Sequence, residues 1–328
     1  MTGKTEQTRP AIVITLLAIG LAIILPASLL IGRGVGPIFG FGDTAILTEI
    51  RLPRALLGAL VGGTLGLCGA ALQGLTRNPL AEPGILGVSS GAAFGAVIVF
   101  YFGFAASDSS MLIAAGAIAG SLAALAILYA LAGRAVDLVR LILAGVGINA
   151  LAAALTSLAL NFAPSPYAAL EILLWMFGSL ADRSMDHVWL MLPLALPGWL
   201  LVVAAARGLD ALILGEDTAQ SLGFSVRRTL WLVIGGTALA VGASVAVSGV
   251  VAFVGLVVPH LLRPWVGYRP SRLLIPSFLA GALITSAADI AVRLMPPGPE
   301  LKLGVVTALI GAPFFLHLVL SSRGRLGA

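Results

Sequence analysis

The sequence predicts an all-α membrane protein with about ten transmembrane helices in one domain, residues 1–328. Three observations lead to this class: hydrophobic residues make up 59% of the 328 positions, charged residues only 10%, and long charge-free runs recur along the chain. Soluble domains carry roughly 25% charged residues, and disordered chains and coiled coils also need far more charge. The runs are continuous rather than alternating in polarity, so helices are favoured over a barrel of strands.

Ten segments are long and apolar enough to cross a hydrocarbon layer, which takes about 20 residues of helix. The stretch 229–262 is too long for one span and is divided at Ser248-Gly249. The ninth span carries two charges, Asp289 and Arg293. The predicted spans are 11–32, 55–76, 83–107, 109–133, 141–170, 188–206, the two parts of 229–262, 271–294 and 303–322.

The basic residues predict the orientation of these spans. Ten spans place both termini on one side, and with a cytoplasmic N-terminus thirteen of the 19 Lys and Arg residues fall inside. Cytoplasmic loops of membrane proteins carry such an excess. Both termini are therefore predicted to be cytoplasmic, and the net charge of +5 reports topology rather than affinity for nucleic acid.

Two segments between spans are too short to be domains or spans. Residues 163–186 contain an apolar stretch with Glu171 and Trp175, which we interpret as an outer re-entrant or interfacial helix. Residues 207–228 form the longest polar segment on the inside. They resemble two short helices broken by Gly215 and Gly223, and such a surface helix is a handle for a cytosolic partner, with a solvated loop as the alternative. Any energy source must then come from another chain or from an ion gradient.

A proline-rich loop and a glycine pattern are candidates for moving parts. The loop RNPLAEPG (77–84) is predicted to be stiff and non-helical, because each proline restricts the residue before it. It is either a gate or a rigid connector. In the second span small residues recur every four positions, which indicates close helix packing or a sliding pore wall. They are Gly58, Gly62, Gly66, Ala70 and Gly74.

Two pairs of charged residues near the outer ends of the spans can each be interpreted in two ways. Asp289 and Arg293 are four residues apart and can pair on a helix, or Asp289 can serve a proton relay. Arg51 and Arg54 form a predicted exposed basic corner, which is either a docking surface for acidic groups or a pair of arginines at the headgroups.

Chemistry-bearing motifs are sparse in this sequence. It holds one cysteine, Cys68, three scattered histidines, and no HExxH, Walker A or serine-elbow motif. We therefore expect no metal, no cofactor and no catalytic site in this chain.

Residues 51–95, which read RLPRALLGALVGGTLGLCGAALQGLTRNPLAEPGILGVSSGAAFG, closely resemble the FecCD family. These are permease subunits of ABC importers for iron-siderophore, haem and cobalamin, with a BtuC-like, type II fold. The resemblance resumes at LAGVGIN, WMFGSLADRS, LGEDTAQSLGFSVRR, SGVVAFVGLVVPHLLR and LGVVTALIGAPFF. It implies a homodimer in the bacterial inner membrane, two cytosolic ABC ATPase subunits that hold ATP and Mg²⁺, and a periplasmic or lipid-anchored substrate-binding protein.

The resemblance also implies roles for individual residues. Contacts to the ATPase are implied for Leu214, Gly215, Glu216, Asp217, Gln220 and Gly223. A cytoplasmic gate is implied for Asn78, Pro79 and Leu80, faced by Leu138 and Val139. Docking of the binding protein is implied for Arg51, Arg54 and Arg293.

The implied function is alternating access driven by the partner ATPases, with a ferric siderophore as the first choice of cargo and haem or cobalamin next. The alternative is a proton-coupled secondary transporter, for which Asp289 is the one candidate acid. Replacing Asp289 with Asn would abolish transport by such a protein and only weaken an ATP-driven importer.

Overall fold

The structure, a computed structural model, describes residues 3–32, 43–101, 110–132, 138–295 and 300–323. These residues form thirteen α-helices, with a π-helical turn at Ile46–Arg51 and a 3₁₀ turn at Pro83–Leu86. The α-helices are α1 (Gly3–Leu30), α2 (Leu52–Thr76), α3 (Val88–Tyr101), α4 (Ser110–Ala132), α5 (Leu138–Asn161), α6 (Pro166–Met176), α7 (Met185–Ala204), α8 (Ala206–Leu212), α9 (Glu216–Ser221), α10 (Val226–Ser248), α11 (Val254–Val266), α12 (Pro270–Arg293) and α13 (Leu303–Arg323).

The predicted all-α membrane class is confirmed. Within the described part of the chain, seven segments are long and apolar enough to cross a membrane, and four shorter apolar helices accompany them. The ten predicted spans correspond in order to α1–α5, α7 and α10–α13. The break at Ser248-Gly249 is confirmed, since α10 ends at Ser248, but α11 begins only at Val254.

The start of the third helix differs from the prediction for a local reason. The third helix begins at Val88 rather than at 83, because Pro83–Leu86 form a 3₁₀ turn and Gly87 takes a positive φ of 78°. The loop 77–84 was predicted to be non-helical, which is wrong for Pro83 and Gly84, because these residues begin the 3₁₀ turn. The stretch predicted to be an outer re-entrant or interfacial segment forms a helix, α6, whose 11 residues span about 16 Å and fall short of a membrane. Its place at the membrane surface stays a prediction. Residues 102–107 of the third predicted span lie outside the described residues.

Helix α2 lies at the centre of the bundle and packs closely against α12. A Cβ atom added at Gly66 would lie 2.0 Å from the carbonyl oxygen of Ser277, and one at Gly281 would lie 2.2 Å from that of Gly62. The backbones can approach this closely only because these positions lack side chains. The predicted close packing of the glycine face is confirmed.

A second glycine seam joins α3 to α4. A Cβ at Gly95 would lie 2.1 Å from the carbonyl oxygen of Gly116, and one at Gly120 would lie 2.1 Å from that of Gly91. Helix α1 is by contrast the most exposed of the seven long apolar segments. The buried apolar residues nevertheless join into a core cluster that reaches from Leu57 on α2 to Leu303 on α13.

The contacts of α2 define two ends of the bundle. At one end, here called the α9 end, Gly74 faces Pro270 and Leu209, so that α8 and the start of α12 lie beside the end of α2, and α9 follows α8. At the opposite end, the start of α2 meets the ends of α1 and α12. Which end faces the cytoplasm stays a prediction from the basic residues, of which Arg33, Arg134 and Arg325 lie outside the described residues. The single domain likewise stays a prediction.

Candidate functional site

The segment 207–228 forms the predicted pair of short helices. Helix α8 is anchored in the bundle, with Leu209 and Leu212 buried. Gly215 (φ 103°) separates it from α9, and Gly223 (φ 84°) follows α9. Both φ values lie in the region that favours glycine, because a Cβ atom is strained there. The breaks predicted at these two glycines are confirmed.

The two helices leave a mixed apolar and acidic surface uncovered. Leu214 is 62% exposed, Leu222 is 57% exposed, and Glu216, Asp217 and Gln220 are exposed as well. The two acids stand in the first turn of α9, where the helix dipole favours negative charge. A cleft of about 550 Å³ separates this surface from the start of α12.

An aspartate that the sequence did not single out fixes α8 to α12. The carboxylate of Asp210 accepts hydrogen bonds from the backbone N–H of Ser271, at 2.9 Å, and from its hydroxyl, at 2.6 Å. Because α12 runs the length of the bundle, this contact connects the surface of α8 and α9 to the membrane core.

The loop between α2 and α3 folds back on itself and meets α5. The side-chain oxygen of Asn78 accepts a hydrogen bond of 2.9 Å from the N–H of Leu80, and its carbonyl accepts one from Ala81. Asn78 and Leu138 line the same small cavity of about 80 Å³. The structure therefore brings the loop and the start of α5 together, whereas Pro79 lines a different cavity and Val139 is 61% exposed.

Asn149 on α5 holds this loop in place. Its amide nitrogen donates a hydrogen bond of 2.9 Å to the carbonyl of Gly84, and its side-chain oxygen accepts one of 2.6 Å from the hydroxyl of Ser90 on α3. A Cβ at Gly145 would lie 2.4 Å from the carbonyl of Ile85, so α5 touches the loop directly. The sequence signal for this role was a single amide inside the apolar run LAGVGIN.

Glu82 connects the same loop to the break between α10 and α11. Burial raises the pKa of the Glu82 carboxyl above its ordinary value, and a hydrogen bond from the backbone N–H of Phe253 lowers that pKa in part. Phe253 has a positive φ of 66°, which is uncommon for a bulky residue.

A buried ion cluster lies at the end opposite α9. The guanidinium of Arg54 donates to Asp289 at 2.8 and 3.0 Å and also pairs with Glu300. Arg293 forms an ion pair of 3.1 Å with Asp289. The predicted pairing of Asp289 with Arg293 is confirmed.

Two arginines of this end bind the last turn of α1. Arg51 donates to the carbonyls of Leu29 and Leu30, at 2.9 and 3.2 Å. Arg293 donates to the carbonyls of Ser28 and Ile31, at 2.8 and 2.6 Å. Carbonyls at a helix C-terminus lack intrahelical partners, and cations there are favoured by the helix dipole.

An open apolar groove of about 580 Å³ runs beside α13. It lies between α13, the end of α6 and the break between α10 and α11, and no charged residue lines it. Gly304 brings α13 close to both neighbours, since a Cβ there would lie 2.3 Å from the carbonyl oxygen of Phe177 and 2.4 Å from that of Val250. The lining residues are Met176, Phe177, Val250, Ala252, Gly304, Val305, Ala308, Leu309, Ala312, Pro313 and Leu316.

The chain matches a known protein family. The model of the FecCD transport family matches residues 11–321, nearly the whole chain. The chain belongs to the FecCD transport family.

Characterised and solved relatives of this FecCD chain agree with that placement. It is 40% identical over 283 residues to the vitamin B12 import system permease protein BtuC of Vibrio cholerae, covering 86% of this chain and 84% of the relative. It is 40% identical over 282 residues to the hemin transport system permease protein HmuU of Yersinia pestis, covering 85% and 84%. A solved chain of a metal-chelate type ABC transporter in an inward-facing conformation superposes with a TM-score of 0.83 at 32% identity, covering 95% of this chain and 99% of that one.

The prediction that Arg51 and Arg54 form an exposed basic corner is wrong for this FecCD permease, and Arg293, the third arginine implied in docking, is buried as well. Arg51 is 3% exposed, Arg54 is 9% exposed and Arg293 is 4% exposed. The reason is pairing within the chain, because Asp289, Glu300 and the carbonyls of α1 surround the three guanidinium groups. Their role in docking is a separate question and stays a prediction. Among the described residues, no group of three or more His, Cys, Asp or Glu side chains could hold a metal ion.

Proposed function

We propose that this FecCD permease forms the translocation path of an ABC importer for an iron chelate, with a ferric siderophore as the first choice of cargo and haem or cobalamin next. The family and the relatives make the chain an ABC-importer permease subunit, an integral membrane protein. The observation that carries the mechanism is the uncovered surface of α9 and its flanking turns, which is tied to the transmembrane core through α8 and its Asp210.

The surface of α8 and α9 is the proposed contact with a cytosolic ABC ATPase. Leu214 supplies apolar area, and Glu216, Asp217 and Gln220 supply polar contacts around it. An apolar centre with a polar rim is the usual composition of a protein interface. Gly215 and Gly223 set the two turns, so that movement of the ATPase is passed through α8 and Ser271 to α12.

The loop after α2 is the proposed cytoplasmic gate. Asn78, Pro79 and Leu80 form its tip, and Leu138 and Val139 at the start of α5 form the opposing side. Because Asn149 binds this loop from α5, a movement of α5 would displace the loop with it.

The proposed path is formed by two copies of the chain. The groove beside α13 is open on one side and lined without charge, so a second copy facing it would enclose a larger apolar passage. Such walls suit a bulky chelate, because a charged filter would hold it too tightly. Selectivity then resides mainly in a periplasmic or lipid-anchored substrate-binding protein, which we propose docks near Arg51, Arg54 and Arg293. Its acidic residues would compete there with Asp289 and Glu300.

The remaining partners follow from the proposal that the chain is the permease of an ABC importer. ATP and Mg²⁺ would be held by two ATPase subunits, with no cofactor bound by the permease itself. We place the complex in the bacterial inner membrane, surrounded by lipid, with both termini of the permease in the cytoplasm and no nucleic-acid partner.

The test is uptake into liposomes that contain the permease, its ATPase and ATP, with the binding protein on the other side. Ferric siderophore, haem and cobalamin are compared as cargo. Asp217→Lys should abolish ATP-driven uptake by reversing charge at the ATPase contact, whereas Glu171→Lys, at an equally exposed acid on α6, should not. Uptake driven by a proton gradient without ATP would overturn the proposal.

A further inference from the structure

A further cavity at the α9 end is lined by two arginines, Arg77 and Arg263. It has a volume of about 230 Å³ and lies between the last turns of α2, the end of α11 and the start of α12. A water molecule takes up about 30 Å³ of liquid, so a phosphate-sized group fits with room to spare. The lining residues are Ala70, Gln73, Gly74, Arg77, Pro79, Ile213, Arg263, Tyr268, Pro270 and Leu273.

The charge of this cavity is not neutralised by the chain. Arg77 and Arg263 both line it, and none of its lining residues is acidic. Among the described residues, neither guanidinium forms an ion pair with a carboxylate. Asp210, on neighbouring α8, is already bound to Ser271. The cavity therefore offers two positive charges and no internal counterion.

Arg263 is held in position by a neutral side chain. It donates a hydrogen bond of 2.8 Å to the side-chain oxygen of Gln73, and the Gln73 amide in turn donates to the carbonyl of Leu256 at 3.1 Å. Gln73 is only 1% exposed. A partly buried guanidinium whose partner is neutral gains from an anion placed against its remaining N–H groups.

The surroundings of the cavity match the headgroup layer of a membrane. Trp265 is 67% exposed and Tyr268 is 77% exposed, and such aromatic residues concentrate where membrane helices meet the headgroups. Leu261, one turn earlier than Trp265 on α11, is 46% exposed and adds an apolar side chain to this surface. Basic pockets between helices at this level suit phosphate-bearing headgroups.

We propose that this cavity binds a phosphate group through Arg77, Arg263 and the hydroxyl of Tyr268. The source is the headgroup of an anionic phospholipid or free phosphate, which share this chemistry. Bound there, the phosphate links the ends of α2, α11 and α12 beside Ile213. The site is independent of cargo, ATP and the binding protein.

The experiment uses the full-length permease alone, purified in detergent and stripped of lipid. Short-chain phosphatidylglycerol, short-chain phosphatidylcholine and inorganic phosphate are titrated separately, and the dissociation constant and the melting temperature are measured. We expect phosphatidylglycerol to bind at least about tenfold more tightly than phosphatidylcholine, because phosphatidylcholine carries the same phosphate but adds a choline cation, which the two arginines repel. Inorganic phosphate that displaces the lipid and stabilises the protein alone would identify free phosphate as a sufficient ligand.

Three substitutions assign the binding to the cavity. Arg263→Gln and Arg77→Asn should each weaken binding about tenfold. Arg77 has a positive φ of 51°, which asparagine tolerates, so this second variant keeps the test valid if Arg263→Gln fails to fold. The matched control is Arg227→Gln, at an exposed arginine of α10 outside the cavity, which should bind as the natural chain does. Equal binding of the two lipids with no effect of phosphate, or equal weakening by Arg227→Gln, would overturn the proposal.

Discussion

Replacing Gly66 with alanine should force α2 and α12 apart. The new Cβ would lie 2.0 Å from the carbonyl oxygen of Ser277 and 2.9 Å from its carbon, where a carbon and an oxygen in contact need about 3.3 Å. The obstructing atoms belong to the backbone of a helix and cannot rotate away. One helix must therefore move away from the other by roughly 1.3 Å, at the most extensive helix contact of the bundle.

The size of the effect follows from two opposing contributions. Overpacking costs up to about 3 kcal/mol, and alanine recovers about 1 kcal/mol through its better helix propensity. The net loss of about 2 kcal/mol in the free energy of unfolding corresponds to a melting temperature lower by about 3 °C for a chain of 328 residues.

The measurement is the melting temperature of the full-length permease in detergent, followed by tryptophan fluorescence. Gly235→Ala on α10 is the matched control, because a Cβ there would meet nothing within 4 Å. That variant should melt at or above the temperature of the natural chain. If both variants melt within about 1 °C of each other, the close approach of α2 and α12 is not what makes Gly66 necessary.

Three further predictions concern polar groups that are buried or partly buried. Asp289→Asn should cost about 3–5 kcal/mol in the free energy of unfolding, because two buried guanidinium groups lose their shared carboxylate; an unchanged denaturation midpoint would contradict the cluster. Since burial raises the pKa of Glu82, the natural chain should lose stability as the pH rises from about 4.5 through that pKa, and Glu82→Gln should remove this loss in melting curves from pH 4 to 8. Asn149→Ala should speed hydrogen exchange at Ile85 and Leu86, while equal exchange in both proteins would show that the amide does not hold the loop.

Features set by local sequence could be predicted well. The length of the run 229–262 required a break, and the dipeptide Ser248-Gly249 marked where α10 ends. Gly215 and Gly223 likewise marked both turns of the segment around α9. The late start of α11 could not be predicted, because Phe253 takes a positive φ that its residue type does not suggest.

Features that depend on distant parts of the chain were mispredicted or missed. Arg54 and Asp289 are 235 positions apart, so the sequence showed only an arginine on the outer side, which was read as exposed. The pairing of Asp289 with Arg293 was predictable because they are one helical turn apart. Asn149 and Gly84, 65 positions apart, gave no signal that they would meet.

The two arginines that bind the end of α1 also set an order for the assembly of the protein. Synthesis proceeds from the N-terminus, so Arg51 enters the membrane soon after the carbonyls of Leu29 and Leu30 that it binds. Arg293 follows Ser28 by 265 positions and arrives only when α12 is made. Until then Arg51 is the one of these two arginines that can bind the end of α1, and Arg54 lacks Asp289, its later partner. The contacts that hold the end of α1 are therefore complete only when the chain has been made as far as α12.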